Sequence, residues 1–177
     1  MEITTPRLVL RDIVSADEDA ILAIFCHPDT QRFEDPGLSE FVAYGRVQMM
    51  AADQFADPRT RYYLVVTLQE SGEIIGYVSA RLNNKDIREW EMGWTIRSPD
   101  WGKGYASEAA RALLEWTVAN LGAHRVVAFC HAENRASSRV MEKVGMTREG
   151  RLRETRKISG EWHDEFVYAI LDREVFP

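Results

Sequence analysis

Two hydrophobic periods trade places along the chain, and each exchange marks a change of element. The opening Arg7-Leu8-Val9-Leu10-Arg11 reads as a strand, and Ser15-Ala16-Asp17-Glu18, with Ser and Glu at capping-box spacing, starts a helix that ends at Pro28. Residues 39–55 form a second helical segment, whose apolar surface comes from Phe41, Val42, Val47, Met49, Met50 and Phe55 and which Gly45 weakens. Residues 62–68 and 73–82 are β-rich runs about the turn Gln69-Glu70-Ser71-Gly72, and a third strand, 87–96, follows Asn83-Asn84-Lys85-Asp86 and stops before Pro99. The period then changes to three and four. Ala106, Ala110, Leu113, Leu114 and Leu121 make 106–121 the clearest helix, with Gly122 as its stop. A short apolar strand, 125–130, precedes a helix over 134–144 with Asn134 as N-cap and Gly145 beyond its end. Residues 148–158 and 162–171 close the chain as a hairpin about Ser159-Gly160.

The order β, α, α, β, β, β, α, β, α, β, β predicts an α+β (mixed α/β) fold, one domain over 1–177, with a mostly antiparallel twisted sheet of about seven strands and about four packed helices. The helix 106–121 is long enough to be the crossover that makes strands 87–96 and 125–130 parallel neighbours. Composition agrees: 45% hydrophobic residues fill one core in a chain of 177. A net charge of −6 speaks against a nucleic-acid partner, and Arg148, Arg151, Arg153, Arg156 and Lys157 read as the solvated side of a strand pair before they read as a docking surface. Cys26 and Cys130, without CxxC spacing or a histidine at ligand spacing, suggest core thiols, a reducing compartment and no metal. With no signal-peptide core and no long apolar stretch, no membrane partner is expected and the cytoplasm is the default compartment. Oligomeric state stays open, a homodimer included.

Chemistry concentrates in three places. Gly102, Gly104 and Ala106 lie between a strand end and the strongest helix, where free N–H groups and the helix dipole favour an anion, although a plain strand-to-helix turn has the same spacing. Lys103 precedes Gly104 with no GK[ST], and Ser107 stands where a dinucleotide fingerprint needs glycine, so neither a Walker nor a Rossmann loop is present. In strand 87–96, Trp90, Met92, Trp94 and Ile96 share one face and Glu89, Glu91, Gly93 and Thr95 the other. Carboxylates two residues apart on a strand face lie about 7 Å from each other, close enough for repulsion to raise one pKa toward that of a general base, if the face is more than a solvated one. Gly93 suggests a bulge. Asn134 is first a helix cap and Ser137 a residue of the opening turn, with ligand contact and proton donation as their functional alternatives. Adjacent Cys130 and His131 point to opposite faces and make no nucleophilic pair, and Trp90, Trp94 and Trp101 read as packing.

Taken in order, Trp90-Glu91-Met92-Gly93-Trp94, Gly102-Lys103-Gly104-Tyr105-Ala106-Ser107-Glu108-Ala109 and Asn134-Arg135-Ala136-Ser137-Ser138-Arg139-Val140-Met141-Glu142-Lys143-Val144-Gly145-Met146 resemble the GNAT superfamily of acetyltransferases. Thr5-Pro6-Arg7-Leu8-Val9-Leu10-Arg11 and the stretch from Gly160-Glu161-Trp162-His163-Asp164 to Tyr168 are similar to its branch of ribosomal-protein alanine acetyltransferases, the RimJ and RimL kind. The resemblance implies a sheet splayed at a bulged strand and acetyl-CoA as donor. Its pyrophosphate would rest on the turn of Trp101, Gly102, Lys103, Gly104, Tyr105, Ala106 and Ser107, its pantetheine arm on Trp94, Thr95 and Ile96, and Asn134 would touch the arm or an ordered water. It implies Glu91 as base with Glu89 as rival. Trp101 replaces the usual Gln or Arg, and Met141 stands where many relatives have a thiolate-protonating Tyr, which leaves Ser137 as acid and Tyr105 as a weaker candidate. The expected activity is N-acetylation of a primary amine, a protein N-terminus or a small molecule, by direct attack in a ternary complex. A non-catalytic acyl-CoA sensor and an unrelated nucleotide-binding protein are the alternatives. The acceptor is open; Asp29, Glu34, Asp35 and Glu40 would attract a cation or simply line a solvated loop.

Overall fold

Alternation along the third long strand gives the sheet two unlike faces, and the helices distribute themselves accordingly. The computed structural model describes residues 1–34 and 40–176. In chain order the elements are β1 (Glu2–Thr4), β2 (Leu8–Asp12), α1 (Glu18–Phe25), α2 (Pro28–Gln31), α3 (Glu40–Ala52), β3 (Arg61–Leu68), β4 (Ile74–Asn84) and β5 (Glu89–Ile96). There follow α4 (Tyr105–Leu121), β6 (Arg125–His131), α5 (Arg135–Lys143), β7 (Thr147–Ile158), β8 (Glu161–Leu171) and α6 (Asp172–Val175). One sheet runs β1-β2-β3-β4-β5-β6-β8-β7, antiparallel everywhere except at β5–β6. That parallel pair is the one α4 crosses between, as the length of the helix required.

Trp90, Met92 and Ile96 enter the larger core, where Ala109, Ala110, Leu113 and Leu114 of α4 meet Val126 and Ala128 of β6. On the opposite face Ile21 of α1 and Val47 and Met50 of α3 pack on Val65 of β3. Core-facing apolar stripes on both sides supply the burial that holds the three layers together.

Several local expectations change. The sheet has eight strands, because Glu2–Thr4 adds an edge strand registered on β2 (Glu2 opposite Arg11). Among the described residues there are six α-helices, the additional ones being the four-residue α2 and α6. Pro28 opens α2 at its first turn instead of ending α1, a position where its missing N–H costs nothing. At the first helix start Asp17, not Glu18, closes the box: its carboxylate accepts the Val14 N–H at 2.9 Å and both ends of the Arg11 guanidinium at 2.7 and 2.8 Å. Cys130 is buried but Cys26 is only partly so. Ser39, predicted to begin the second helix, and Asp35, part of the acidic run, lie outside the described residues.

Gly93 marks no irregularity. Its pairing with Ser79 sits in unbroken register, and the shift in the β4–β5 ladder falls between Leu82 and Asn84. The sheet opens on the other side of β5. Parallel pairing with β6 covers Glu89, Trp90 and Glu91 and then stops, while β6 continues on β8 as far as His131.

Candidate active site

The opening of the sheet begins at Glu91, whose partner on β6 is Val127. Beyond it, Met92 to Ile96 have β4 on one side and, among the described residues, no strand on the other. Backbone polar groups along such an edge call for a partner that is not a strand. Trp94 and Ile96 turn toward the α4 core, whereas Thr95 pairs with Tyr77 in the β4–β5 ladder and shares a side-chain hydrogen bond with its hydroxyl. Burial pushes that phenol up to about 12, against the effect of the Thr95 hydrogen bond, so it stays protonated near neutrality.

At the end of this edge the chain turns into α4. Gly102 and Gly104 adopt φ of 78° and 87°, left-handed values that side-chain-bearing residues rarely take, and Gly104 is the N-cap. Among the described residues, the N–H groups from Gly102 to Ser107 find no acceptor; the first N–H of the turn to be satisfied is that of Glu108, on Gly104 O at 3.1 Å. Their convergence at the start of a 17-residue helix makes an anion cradle. Trp101, half exposed, is fastened by its indole N–H to Ile96 O at 2.5 Å and covers the junction.

Three contacts missed in the sequence hold this turn. Asp100 is 4% exposed; burial alone would raise its pKa, yet hydrogen bonds from Lys103 (2.7 Å) and Arg97 keep its carboxyl below the ordinary range. The Lys103 ammonium is therefore committed to Asp100, and Lys103 offers the cradle its backbone. Arg7 donates to Lys103 O at 3.0 Å and lies over the Tyr105 ring at 4.6 Å. Glu108 accepts from Thr5 Oγ1 at 2.6 Å and Arg7 Nε at 2.7 Å, and these bonds lower its pKa against the opposing effect of burial.

Across the opening, Asn134 caps α5 by accepting the Ser137 N–H at 3.1 Å, and its amide N–H₂ has no partner among the described residues. Ser137 is half-buried and its hydroxyl makes no hydrogen bond among the described residues. Met141 is buried in the core. Glu91 and Glu89 lie on the face opposite the tryptophans, as the alternation dictates, but the repulsion expected between them is offset by arginines at their register positions: Arg81 opposite Glu91 and Arg125 opposite Glu89. Both oxygens of Glu89 are engaged, by Arg125 at 2.7 Å and Asn83 at 2.5 Å. Glu91 gives one oxygen to Arg81 at 2.6 Å and keeps the other free among the described residues.

An open strand edge thus leads to a turn of unpaired N–H groups at the start of α4. The acetyltransferase (GNAT) domain family matches residues 7–147. The chain belongs to the GNAT acetyltransferase family. It is 33% identical to the uncharacterized N-acetyltransferase YnaD of Bacillus subtilis over 177 residues, covering 98% of this chain and 99% of that one. A GNAT-family acetyltransferase of Bacillus anthracis shares its structure with a TM-score of 0.85 at 30% identity, over 98% of this chain and 100% of the other. The fold is also that of Mycobacterium smegmatis RimJ, solved in complex with CoA-disulfide: TM-score 0.84, 22% identity, 96% of this chain and 84% of that one. As a GNAT protein the chain is an acyltransferase.

Proposed function

We propose that the chain transfers the acetyl group of acetyl-CoA to a primary amine, a protein N-terminal α-amino group or a small-molecule amine, by direct attack in a ternary complex. The observation that carries this reading is the coincidence at one sheet end of the unpaired β5 edge and the unpaired N–H groups of Gly102 to Ser107. The first suits an amide-rich arm, the second a pyrophosphate, and a CoA complex of a protein with the same fold supports the pairing.

The amine nitrogen attacks the thioester carbon, the carbon–sulfur bond breaks, and two proton movements complete the transfer. Glu91 takes the amine proton, directly or through a water. It stands at the point where the sheet opens and has a free carboxylate oxygen, which Glu89 lacks. Ser137, with its unpaired hydroxyl beside the opening, returns a proton to the thiolate.

Two measurements test the reading. Calorimetric titration with acetyl-CoA should give saturable heat, and its absence removes the donor site. In pH profiles of kcat/KM, Glu91→Gln should lose the acidic limb and about 10²–10⁴ in rate while Glu89→Gln keeps the limb. Retention of the limb by both variants overturns the base assignment, and binding without turnover on any amine identifies a sensor.

A further inference from the structure

Arg156 belongs to the basic run of the last hairpin that the sequence places in solvent, yet it is half-buried and shared by two carboxylates. Its Nε donates to Glu165 Oε1 at 2.8 Å. Its Nη1 donates to Glu34 Oε2 at 2.7 Å and, at 3.4 Å, to Phe33 O. Glu165 is a neighbour on β8, whereas Glu34 follows α2, 122 residues before Arg156. The backbone is irregular where it delivers this side chain. Leu152 pairs with Glu165 and Arg156 with His163, so Arg153, Glu154 and Thr155 together face Asp164. Glu154 takes a φ of 54°, its N–H donates to Asp164 Oδ1 at 2.9 Å, and Arg151 Nε donates to Oδ2 at 2.6 Å. A bulge of this kind re-aims side chains. Here it also sets Thr155 Oγ1 at 3.2 Å from Glu165 Oε2, so both oxygens of that buried carboxylate are satisfied.

Alternation fixes the side of the sheet on which this cluster lies. Val126, Ala128 and Cys130 of β6 point into the α4 core, so Val127, Phe129 and His131 point the other way. Val127 is the partner of Glu91 and His131 the partner of Glu165. Glu91, His131 and Glu165 therefore share the face opposite α4. His131 stands four residues, about 13 Å, past the point where β5 and β6 part. Two contacts hold the segment after α2 against this stretch of β6. The Phe33 ring lies 5.1 Å from that of His131, centroid to centroid, and Arg156 grips Glu34. The ring contact is non-directional, whereas the charge-assisted hydrogen bond fixes where the segment stands.

We infer that Arg156 is a positioning residue for the amine acceptor: by tying Glu34 to Glu165 it holds the segment after α2 as the outer wall of the passage to Glu91. This rests on the amine-transfer reading above. With the donor on the cradle and the β5 edge, the amine reaches Glu91 over the face opposite α4, along β6. Arg156 acts there through Glu34 and not on the reacting atoms. Only a guanidinium suits the task, because its fork engages two carboxylates at once where an ammonium is a single point charge.

The test is steady-state kinetics of the full chain with trialanine and with spermidine, read on each amine that wild type acetylates. Glu34→Gln cuts the tie at an exposed side chain, and Arg156→Lys keeps a cation for Glu165 but cannot span both carboxylates. Each variant should raise the KM for the amine about fivefold, with kcat and the acetyl-CoA Kd within about twofold of wild type. The double variant Glu34→Gln/Arg156→Lys should rise no further, because both changes break one connection. A fold merely weakened would shift kcat and donor affinity as well, and urea unfolding will verify that each variant is folded. An unchanged amine KM in Glu34→Gln, additive effects in the double variant, or an equal loss of donor affinity overturns the positioning role and leaves acetyl transfer standing. If wild type acetylates neither amine, the acceptor reading fails and the positioning role with it.

Discussion

Arg7 grips Glu108 across a hundred residues of chain, its Nε 2.7 Å from Oε2 and its backbone N–H 3.0 Å from Oε1. The same guanidinium donates to Lys103 O, so the N-terminal segment holds the cradle from behind. Arg7→Ala should cost about 1 kcal/mol of stability, a figure kept small because the Arg7 side chain is 46% exposed and solvent screens the pair. Its larger effect should be on acetyl-CoA binding, weakened roughly tenfold because the N–H groups are no longer pre-oriented. Urea unfolding and calorimetry separate the two, and an unchanged Kd would show that the turn keeps its shape unaided.

Two glycine-to-alanine changes should have opposite signs. At Gly104, with φ of 87°, a Cβ is strained and comes within 3.4 Å of Arg7 Nη2, so Gly104→Ala should destabilise by about 1–2 kcal/mol and lower donor affinity. Gly45 lies inside α3, where an added methyl would meet nothing within 4 Å, and Gly45→Ala should stabilise by about 0.5–1 kcal/mol with no effect on binding. Chemical denaturation of both variants checks the pair; destabilisation by Gly45→Ala would contradict the helical geometry there.

Ser137→Ala tests the acid. The cap is made by Asn134 to the Ser137 backbone, so the alanine variant keeps it and should unfold at nearly the wild-type denaturant midpoint. Loss of the hydroxyl should lower kcat by about 10²-fold with little change in KM for acetyl-CoA. Asn134→Ala should instead cost about 1 kcal/mol of stability and raise that KM. Full kcat in Ser137→Ala would pass the role to Tyr105 or to water.

What the sequence revealed and what it hid divide along the range of the interaction. The cradle was legible because glycine spacing and a helix start are local, and φ of 78° and 87° at Gly102 and Gly104 is what such spacing anticipates. The faces of β5 followed from alternation alone. The site of the opening did not: Gly93 carries the local signature of a bulge, yet the ladder parts on the other side of β5, where pairing with β6 stops after Glu91 while β6 continues along β8 from a segment far along the chain. The Arg7–Glu108 clamp and the arginines opposite Glu89 and Glu91 were hidden for the same reason, since cross-strand register and contacts over a hundred residues leave no periodic trace. Asp100 is a further case. Nothing in Ser98-Pro99-Asp100-Trp101 shows that its carboxylate would be buried between Arg97 and Lys103.

The last prediction concerns His131, which ends β6 beyond the opening. Its ring lies 5.1 Å from Phe33 and 4.8 Å from His163, centroid to centroid, and its Nδ1 accepts the Glu133 N–H at 3.1 Å. Burial first, and then the neighbouring His163 and Arg156, hold its pKa below the ordinary value, with Glu133 and Glu165 opposing. The unfolded chain takes up this proton at about pH 6.5, whereas the folded protein does so only at lower pH. In that interval the unfolded state binds more protons, so His131 stabilises the fold fully above pH about 6.5 and loses that contribution as the pH falls toward its folded value. Urea midpoints should therefore drop as the pH falls below about 6.5 toward the lowered folded-state value. His131→Asn keeps an acceptor for the Glu133 N–H but cannot titrate. It should be less stable at neutral pH through lost ring packing and should show a flatter pH dependence over the same interval. A variant slope as steep as that of wild type would place the pH dependence in another group.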